Sequence, residues 1–322
     1  MKRARSRGPA VSAPGELPPG FPLGSTGRIH PAIGLGLWNL GRWTPPEEAK
    51  LKPVISAALA ADVPWLDTAE VYGGGRSEQL LGDALAMLDP GRTRPFLSSK
   101  LSYEHLRASQ VRPSLLGTLR RLGLPSIDLY LIHFPNPKVP LAETLEPLAA
   151  LREEGRIGAI GVSNFSLEEL EAANAALGDR GVVANQVPYN LLEREEGEPV
   201  AAYCRAHRIV LEAYSPLARG LLAGRYLRSA PRAGDPRSGR GLFERSRWPE
   251  SQRRARALQA LAEEAKLPLA AIALHWLISR GAAPLVGAGS IEQLTATMEA
   301  ARQRPAKGVL ERADRIARGD AD

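Results

Sequence analysis

Trp65-Leu66-Asp67-Thr68-Ala69-Glu70-Val71-Tyr72-Gly73 begins as a short apolar run, turns polar at Asp67 and soon reaches a tyrosine beside glycine. Two later stretches share that construction. Phe96-Leu97-Ser98-Ser99-Lys100 and Asp128-Leu129-Tyr130-Leu131-Ile132-His133 are apolar runs that end on a side chain able to carry charge. Short apolar runs closed by polar punctuation read as buried strands. A parallel barrel gathers the C-terminal ends of its strands into one rim, and sites are built there. Asp67, Tyr72, Lys100 and His133 would then share a rim.

Eight such runs lie near 33–37, 64–67, 95–100, 128–133, 157–162, 182–187, 209–214 and 284–287. Helical periodicity fills the intervals at 47–61, 77–88, 108–122, 142–154, 166–177 and 198–207, then at 251–265, 268–279 and 290–301. Strand–helix alternation implies a parallel sheet, and eight units imply an α/β fold of the (β/α)8 TIM barrel class. An open doubly wound sheet is the rival, but it needs a glycine-rich turn after an early strand. Gly34-Leu35-Gly36 starts that fingerprint and Asn39 breaks it. Helix punctuation agrees with the barrel. Ser166 with Glu169 forms a capping box, Thr44 precedes Pro45-Pro46-Glu47, and Gly155 and Gly281 stand where helices should stop. Residues 215–250, rich in Arg, Gly, Pro and Ser, form the longest irregular stretch and read as a flexible lid on the rim.

Hydrophobic residues make up 44% of the 322, ample for a large core. The net charge of +7 owes four units to Lys2, Arg3, Arg5 and Arg7, leaving an ordinary +3. Residues 1–23 read as a disordered, basic, Pro/Gly-rich extension, and 24–322 as a single domain. No apolar run suits a secretory signal or a membrane span. The single Cys204 cannot form an internal disulfide and suits a reducing, cytoplasmic setting, with core packing as its role. Nucleic-acid and membrane partners are not expected. The five histidines offer no ligand spacing for zinc, so no metal is expected. Ser163 lacks the Gly-x-Ser-x-Gly elbow of a hydrolase nucleophile.

Taken singly, the four rim residues are commonplace: a cap, a packed tyrosine, a solvated lysine, a core histidine. Together on one rim they suit chemistry at a carbonyl oxygen. Tyr72 can give up a proton, and a Lys100 ammonium beside it stabilises the phenolate. Asp67 can hold Lys100 in place and charged. His133 can direct a ring N–H at the substrate oxygen.

Asp67-Thr68-Ala69-Glu70-Val71-Tyr72-Gly73, with Ser77-Glu78 and Leu81-Gly82 beyond it, resembles the first signature of the aldo-keto reductases. Leu131-Ile132-His133-Phe134-Pro135 resembles the family's histidine segment. Gly155-Arg156-Ile157-Gly158-Ala159-Ile160-Gly161-Val162-Ser163-Asn164-Phe165 is similar to a further signature, as are Asn185-Gln186-Val187-Pro188-Tyr189-Asn190 and Tyr214-Ser215-Pro216-Leu217. The likeness runs in order from about Gly34 to Gln293. It implies an NAD(P)H-dependent carbonyl reductase or alcohol dehydrogenase, a monomer acting on a small carbonyl substrate. Tyr72 would be the general acid and base, completed by Lys100, Asp67 and His133. Ser163, Asn164 and Gln186 would hold the nicotinamide carboxamide, Tyr214 would stack on its ring, and Ser215 to Leu217 would border the pyrophosphate. Trp38 and Phe134 would line the substrate pocket.

The adenosine end departs from the family pattern. In Val286-Gly287-Ala288-Gly289-Ser290-Ile291-Glu292-Gln293, Gly289 and Ser290 stand where the family places a phosphate-gripping cation and its polar neighbour. Gly287, Glu292 and Gln293 remain cofactor contacts, and Ala296-Thr297 replaces the family's Glu-Asn pair. The resemblance implies NADP, and the departure implies a shift toward NAD unless Arg219 or an arginine of 225–247 compensates. Two other readings compete: a nicotinamide-binding regulatory subunit with slow turnover, and a lyase or hydrolase using His133 and Asp67. The latter leaves Ser163, Asn164, Gln186 and Tyr214 without a purpose.

Overall fold

The structure, a computed structural model, describes residues 15–38, 44–178 and 181–320. It opens with an antiparallel hairpin, β1 (Phe21–Pro22) and β2 (Ile29–His30). Eight further strands follow: β3 (Gly34–Gly36), β4 (Trp65–Asp67), β5 (Phe96–Leu101), β6 (Leu129–Ile132), β7 (Ile160–Ser163), β8 (Ala184–Pro188), β9 (Val210–Tyr214) and β10 (Ala282–Val286). They close in sequence order into a parallel barrel, β10 pairing with β3. The expected (β/α)8 barrel is therefore the fold, with all eight barrel strands where the apolar runs lie.

Helices α1 (Pro45–Ala60), α2 (Arg76–Ala86), α3 (Ala108–Leu122), α4 (Leu141–Glu153), α5 (Leu167–Leu177) and α6 (Gly197–His207) alternate with the strands. Two helices, α7 (Trp248–Glu264) and α8 (Leu269–Ser279), separate β9 from β10, and α9 (Ile291–Arg302) follows. The caps act as expected. Ser166 Oγ accepts from the Glu169 amide at the start of α5, and Gly155 and Gly281, with φ of 73° and 78°, follow the ends of α4 and α8. A tenth helix, α10 (Lys307–Arg318), has no counterpart among the expected elements. Ala313 and Ala317 on it are buried, and Val309, Leu310 and Ile316 pack against the core beside them.

Two expectations need correction. The boundary at 23/24 falls inside the hairpin: Phe21 and Pro22 pair with His30 and Ile29, and Leu23 is wholly buried. Arg28 on the hairpin loop pairs with Asp128, which also holds Arg94, tying the hairpin to the barrel base. Residues 1–14 lie outside the described residues. The 215–250 stretch is no free lid. It contains 3-10 turns at Ala218–Ala223 and Gly241–Phe243, whose Ala218, Leu221, Leu222, Leu242 and Phe243 are buried. Apolar burial on that scale, roughly 1.5–3 kcal/mol for each large side chain, anchors the segment.

Strand alternation sorts the side chains into two sets. Outward-facing residues such as Leu97, Tyr130 and Ile132 join the helices in the main core. Inward-facing Trp65, Leu129, Leu131, Ala184, Val210, Ala283 and Leu285 fill the lower barrel, with Leu23 beside them. Gly34 makes room for this plug, because a Cβ there would come within 2.2 Å of the Trp65 ring. Higher up, the same alternation turns Asp67, Lys100, Gln186 and Glu212 into the interior. Cys204 is a core residue as expected, its thiol pushed up to about 12 by burial.

Candidate active site

Each rim residue is placed by a local feature. Asp67 is the last residue of β4, and Lys100 lies near the end of β5, two residues past Ser98 on the same inward face. Tyr72 closes a turn, its N–H donating to Ala69 O at 3.0 Å. Gly73, Gly74 and Gly75 follow with φ of 60°, 62° and 89°, three consecutive left-handed residues that side chains would strain. They carry the chain from Tyr72 directly into α2. His133 follows β6, its N–H donating to Leu101 O at 2.9 Å.

The four expected residues come together. Lys100, with no exposed surface, donates from Nζ to Asp67 Oδ1, to Thr68 O at 2.9 Å and to the Tyr72 hydroxyl at 3.3 Å. The three hydrogens of the ammonium thus have three acceptors. Asp67 Oδ2 accepts from Ser98 Oγ at 2.7 Å and from Gln186 Nε2 at 3.2 Å, and Ser98 Oγ in turn accepts from the Trp65 indole at 2.8 Å. The His133 ring meets Tyr72 edge-on at 5.6 Å and stacks on Phe134 at 5.0 Å.

The electrostatics follow from burial and one dominant ion pair. Desolvation pushes the Lys100 pKa down, but the Asp67 charge prevails and raises it, so Lys100 stays cationic. Burial raises Asp67 against the pull of Lys100. Burial also raises the Tyr72 hydroxyl above 10, outweighing the opposing Lys100 charge. That balance corrects the simple expectation that Lys100 makes Tyr72 more acidic overall: in the protein alone, Tyr72 is held as the neutral phenol. His133 is driven down to about 3, first by burial and then by Lys100, and is a neutral imidazole at ordinary pH.

The expected carboxamide-binding residues are neighbours at the ends of β7 and β8. Ser163 Oγ donates to Gln186 O at 2.8 Å, and Asn164 Nδ2 donates to His133 O and to Ser163 Oγ, both at 3.0 Å. Asn164 Oδ1 accepts from the Tyr214 hydroxyl at 3.0 Å. Asn164 adopts φ 61°, an uncommon conformation for a residue with a side chain. Trp38 and Phe134, 55% and 45% exposed, stand open at the rim with Tyr103. Gly287, Gly289, Ser290, Glu292 and Gln293 lie at the other end of the expected cofactor track, where α9 begins. There Gln293 Oε1 accepts from Gly289 N at 3.0 Å, and Ser290 Oγ accepts from Gln293 N at 3.4 Å.

Sequence reading assigned no role to Ser98, Glu212 or His30, which the structure puts beneath the four. Ser98 was accessible through the two-residue period it shares with Lys100. Glu212 carried a signal too, a lone acid inside Ile209-Val210-Leu211-Glu212-Ala213. Among the described residues, no group of three or more His, Cys, Asp or Glu side chains is placed to hold a metal, and no helix is long and apolar enough to cross a membrane.

Residues 32–317 match the model of the aldo/keto reductase family. The chain is 37% identical over 276 residues to an uncharacterized oxidoreductase of Mycobacterium tuberculosis, covering 84% of each chain. It is 32% identical over 291 residues to aldo-keto reductase YhdN of Bacillus subtilis, covering 86% of this chain and 87% of that one. Among solved structures it resembles an aldo/keto reductase from Klebsiella pneumoniae in complex with NADP and acetate. That likeness has a TM-score of 0.74 and 28% identity over 92% of this chain and 95% of the other.

Proposed function

This chain belongs to the aldo/keto reductase family and is an oxidoreductase, and from that premise we propose that it interconverts small carbonyl compounds and alcohols with Tyr72 as acid and base. One observation carries the reading: a fully buried Lys100 shared between the Asp67 carboxylate and the Tyr72 hydroxyl. A bound nicotinamide dinucleotide supplies or takes up the hydride. In the reducing direction Tyr72 gives its proton to the carbonyl oxygen as negative charge grows there. Lys100, 3.3 Å away, stabilises the phenolate oxygen left behind. Asp67 keeps Lys100 charged and fixed. His133, neutral, offers a ring N–H to the same substrate oxygen without competing for its proton. In the oxidising direction the tyrosinate takes the alcohol proton. A purely regulatory subunit would leave this Lys100–Tyr72 geometry without use.

The residues suit a nicotinamide. Ser163, Asn164 and Gln186 bring hydroxyl and amide groups to one place, matching a carboxamide that both donates and accepts. Tyr214, anchored through its hydroxyl, offers a ring face. Ser215, Ala218 and Arg219 have φ of 54°, 48° and 55°. Such left-handed residues let N–H groups converge on an anion such as the pyrophosphate. Trp38 and Phe134 frame the carbonyl substrate with apolar surface. A single buried cysteine suits a cytoplasmic enzyme, and we read it as a monomer.

The Klebsiella pneumoniae relative binds NADP, but Gly289 and Ser290 bring no side-chain cation to the start of α9, where Gln293 Oε1 accepts from the Gly289 N–H and Ser290 Oγ from the Gln293 N–H. A charge-assisted contact is worth about 1.5–3 kcal/mol, so its loss lowers the NADP preference by about 10- to 100-fold. Fluorescence titration with NADPH and NADH tests this. Dissociation constants within about tenfold of each other are expected. A preference for NADPH above about 100-fold would assign the phosphate to Arg219 or an arginine of 225–247. Binding of neither cofactor would sink the oxidoreductase mechanism.

A further inference from the structure

Glu212 is a carboxylate without exposed surface, set in an apolar strand inside the barrel. Such a group is tolerated only when both oxygens find partners. Oε1 meets His30 Nε2 at 3.0 Å, and Oε2 accepts from Gln186 Nε2 at 2.6 Å. His30, equally buried, directs Nδ1 at Pro31 O, 2.7 Å away, and packs edge-on against Trp65 and Phe96. A carbonyl oxygen only accepts, so Nδ1 carries a proton. The contact at Nε2 then requires one further proton between imidazole and carboxylate. His30 and Glu212 together form a hydrogen-bonded unit, seated on the hairpin that meets the barrel base.

That unit determines how Gln186 stands. The amide nitrogen has two hydrogens, with one acceptor in Glu212 Oε2 and the other in Asp67 Oδ2 at 3.2 Å. Flipping the amide would set its oxygen against two carboxylates, which repel it. Only the amide oxygen of Gln186 is left for a ligand. We infer that Glu212, held by His30, is a positioning residue that fixes Gln186 with its oxygen ready for the N–H2 of the nicotinamide carboxamide. This rests on the proposed nicotinamide role of Gln186. It makes the basal hairpin part of the cofactor site through the series His30, Glu212, Gln186, Asp67.

The test is cofactor titration of full-length variants with NADPH and NADH. E212L removes the acceptor and should raise the dissociation constant about tenfold, the value of one buried hydrogen bond. E212Q should stay within about threefold of wild type, because the new amide can accept from Gln186 and donate to His30 Nε2. Q186L should weaken binding, and the Q186L/E212L double variant should bind no more weakly than Q186L, since both remove one contact. Wild-type affinity in folded E212L, or losses that add in the double variant, would overturn the inference alone. Wild-type affinity in Q186L, or binding of neither cofactor by the parent protein, would overturn it together with the reading beneath it. Should E212L not fold, the side-chain N–H2 signals of Gln186 in the wild-type NMR spectrum decide. Slow solvent exchange of both protons is expected, with one of them shifted in E212Q. Rapid solvent exchange of the pair would contradict a clamped amide.

Discussion

Replacing Tyr72 with Phe should lower kcat for carbonyl reduction by about 10²- to 10⁴-fold, the contribution expected of a positioned general acid. Cofactor affinity in the same variant should stay within about twofold of wild type, since the Ser163, Asn164 and Gln186 cluster is untouched. The ring and its edge contact with His133 survive the change, and only the hydroxyl facing Lys100 is lost. The pH dependence gives an independent check. Reduction needs the protonated phenol, and burial lifts the Tyr72 pKa above 10, so the wild-type rate should be level across neutral pH and fall only on the alkaline side. No step is expected at the usual histidine value of 6.5, because His133 is already neutral down to about 3. Steady-state rates of Tyr72→Phe, beside a wild-type pH profile, measure both. A variant that keeps more than a tenth of the wild-type kcat would move the acid elsewhere.

Lys100→Met should be the most destabilising of the rim substitutions, by about 3–5 kcal/mol, as expected when one member of a buried ion pair is removed. The loss has a definite origin. Asp67, 1% exposed, would keep its hydrogen bonds from Ser98 and Gln186 but lose the only cation that contacts it among the described residues. The double variant Asp67→Leu with Lys100→Met should recover part of the loss, because no unpaired charge is left behind. Urea denaturation of the two single variants and the double variant gives the coupling directly. Equal stability of Lys100→Met and wild type would mean that the pair contributes nothing to the fold.

Both expectations start from features plain in the chain. Asp67 and Lys100 end apolar runs, and a parallel barrel allows such residues one destination. Tyr72 stands before three glycines, which permit the left-handed path the structure takes. Long-range pairing was less visible. The contact between His30 and Glu212 joins residues 182 apart, and the hairpin strands are only two residues long. So short an element leaves no period to read. The 215–250 stretch looked like a lid because Arg, Gly and Pro dominate it, yet its few Leu and Phe residues sink into the core and anchor it. The direction of the Tyr72 shift was also illegible, because burial and the Lys100 charge oppose one another and only the three-dimensional environment shows that burial prevails.

The most direct measurement adds an aromatic aldehyde to the purified protein with excess NADPH or NADH and follows the loss of nicotinamide absorbance, wild type beside Tyr72→Phe. Steady, aldehyde-dependent oxidation by wild type that nearly vanishes in Tyr72→Phe is the expected result. Tight cofactor binding with no turnover of any of a panel of aldehydes and ketones, or equal rates in the two proteins, would contradict a catalytic rim built on Asp67, Tyr72, Lys100 and His133.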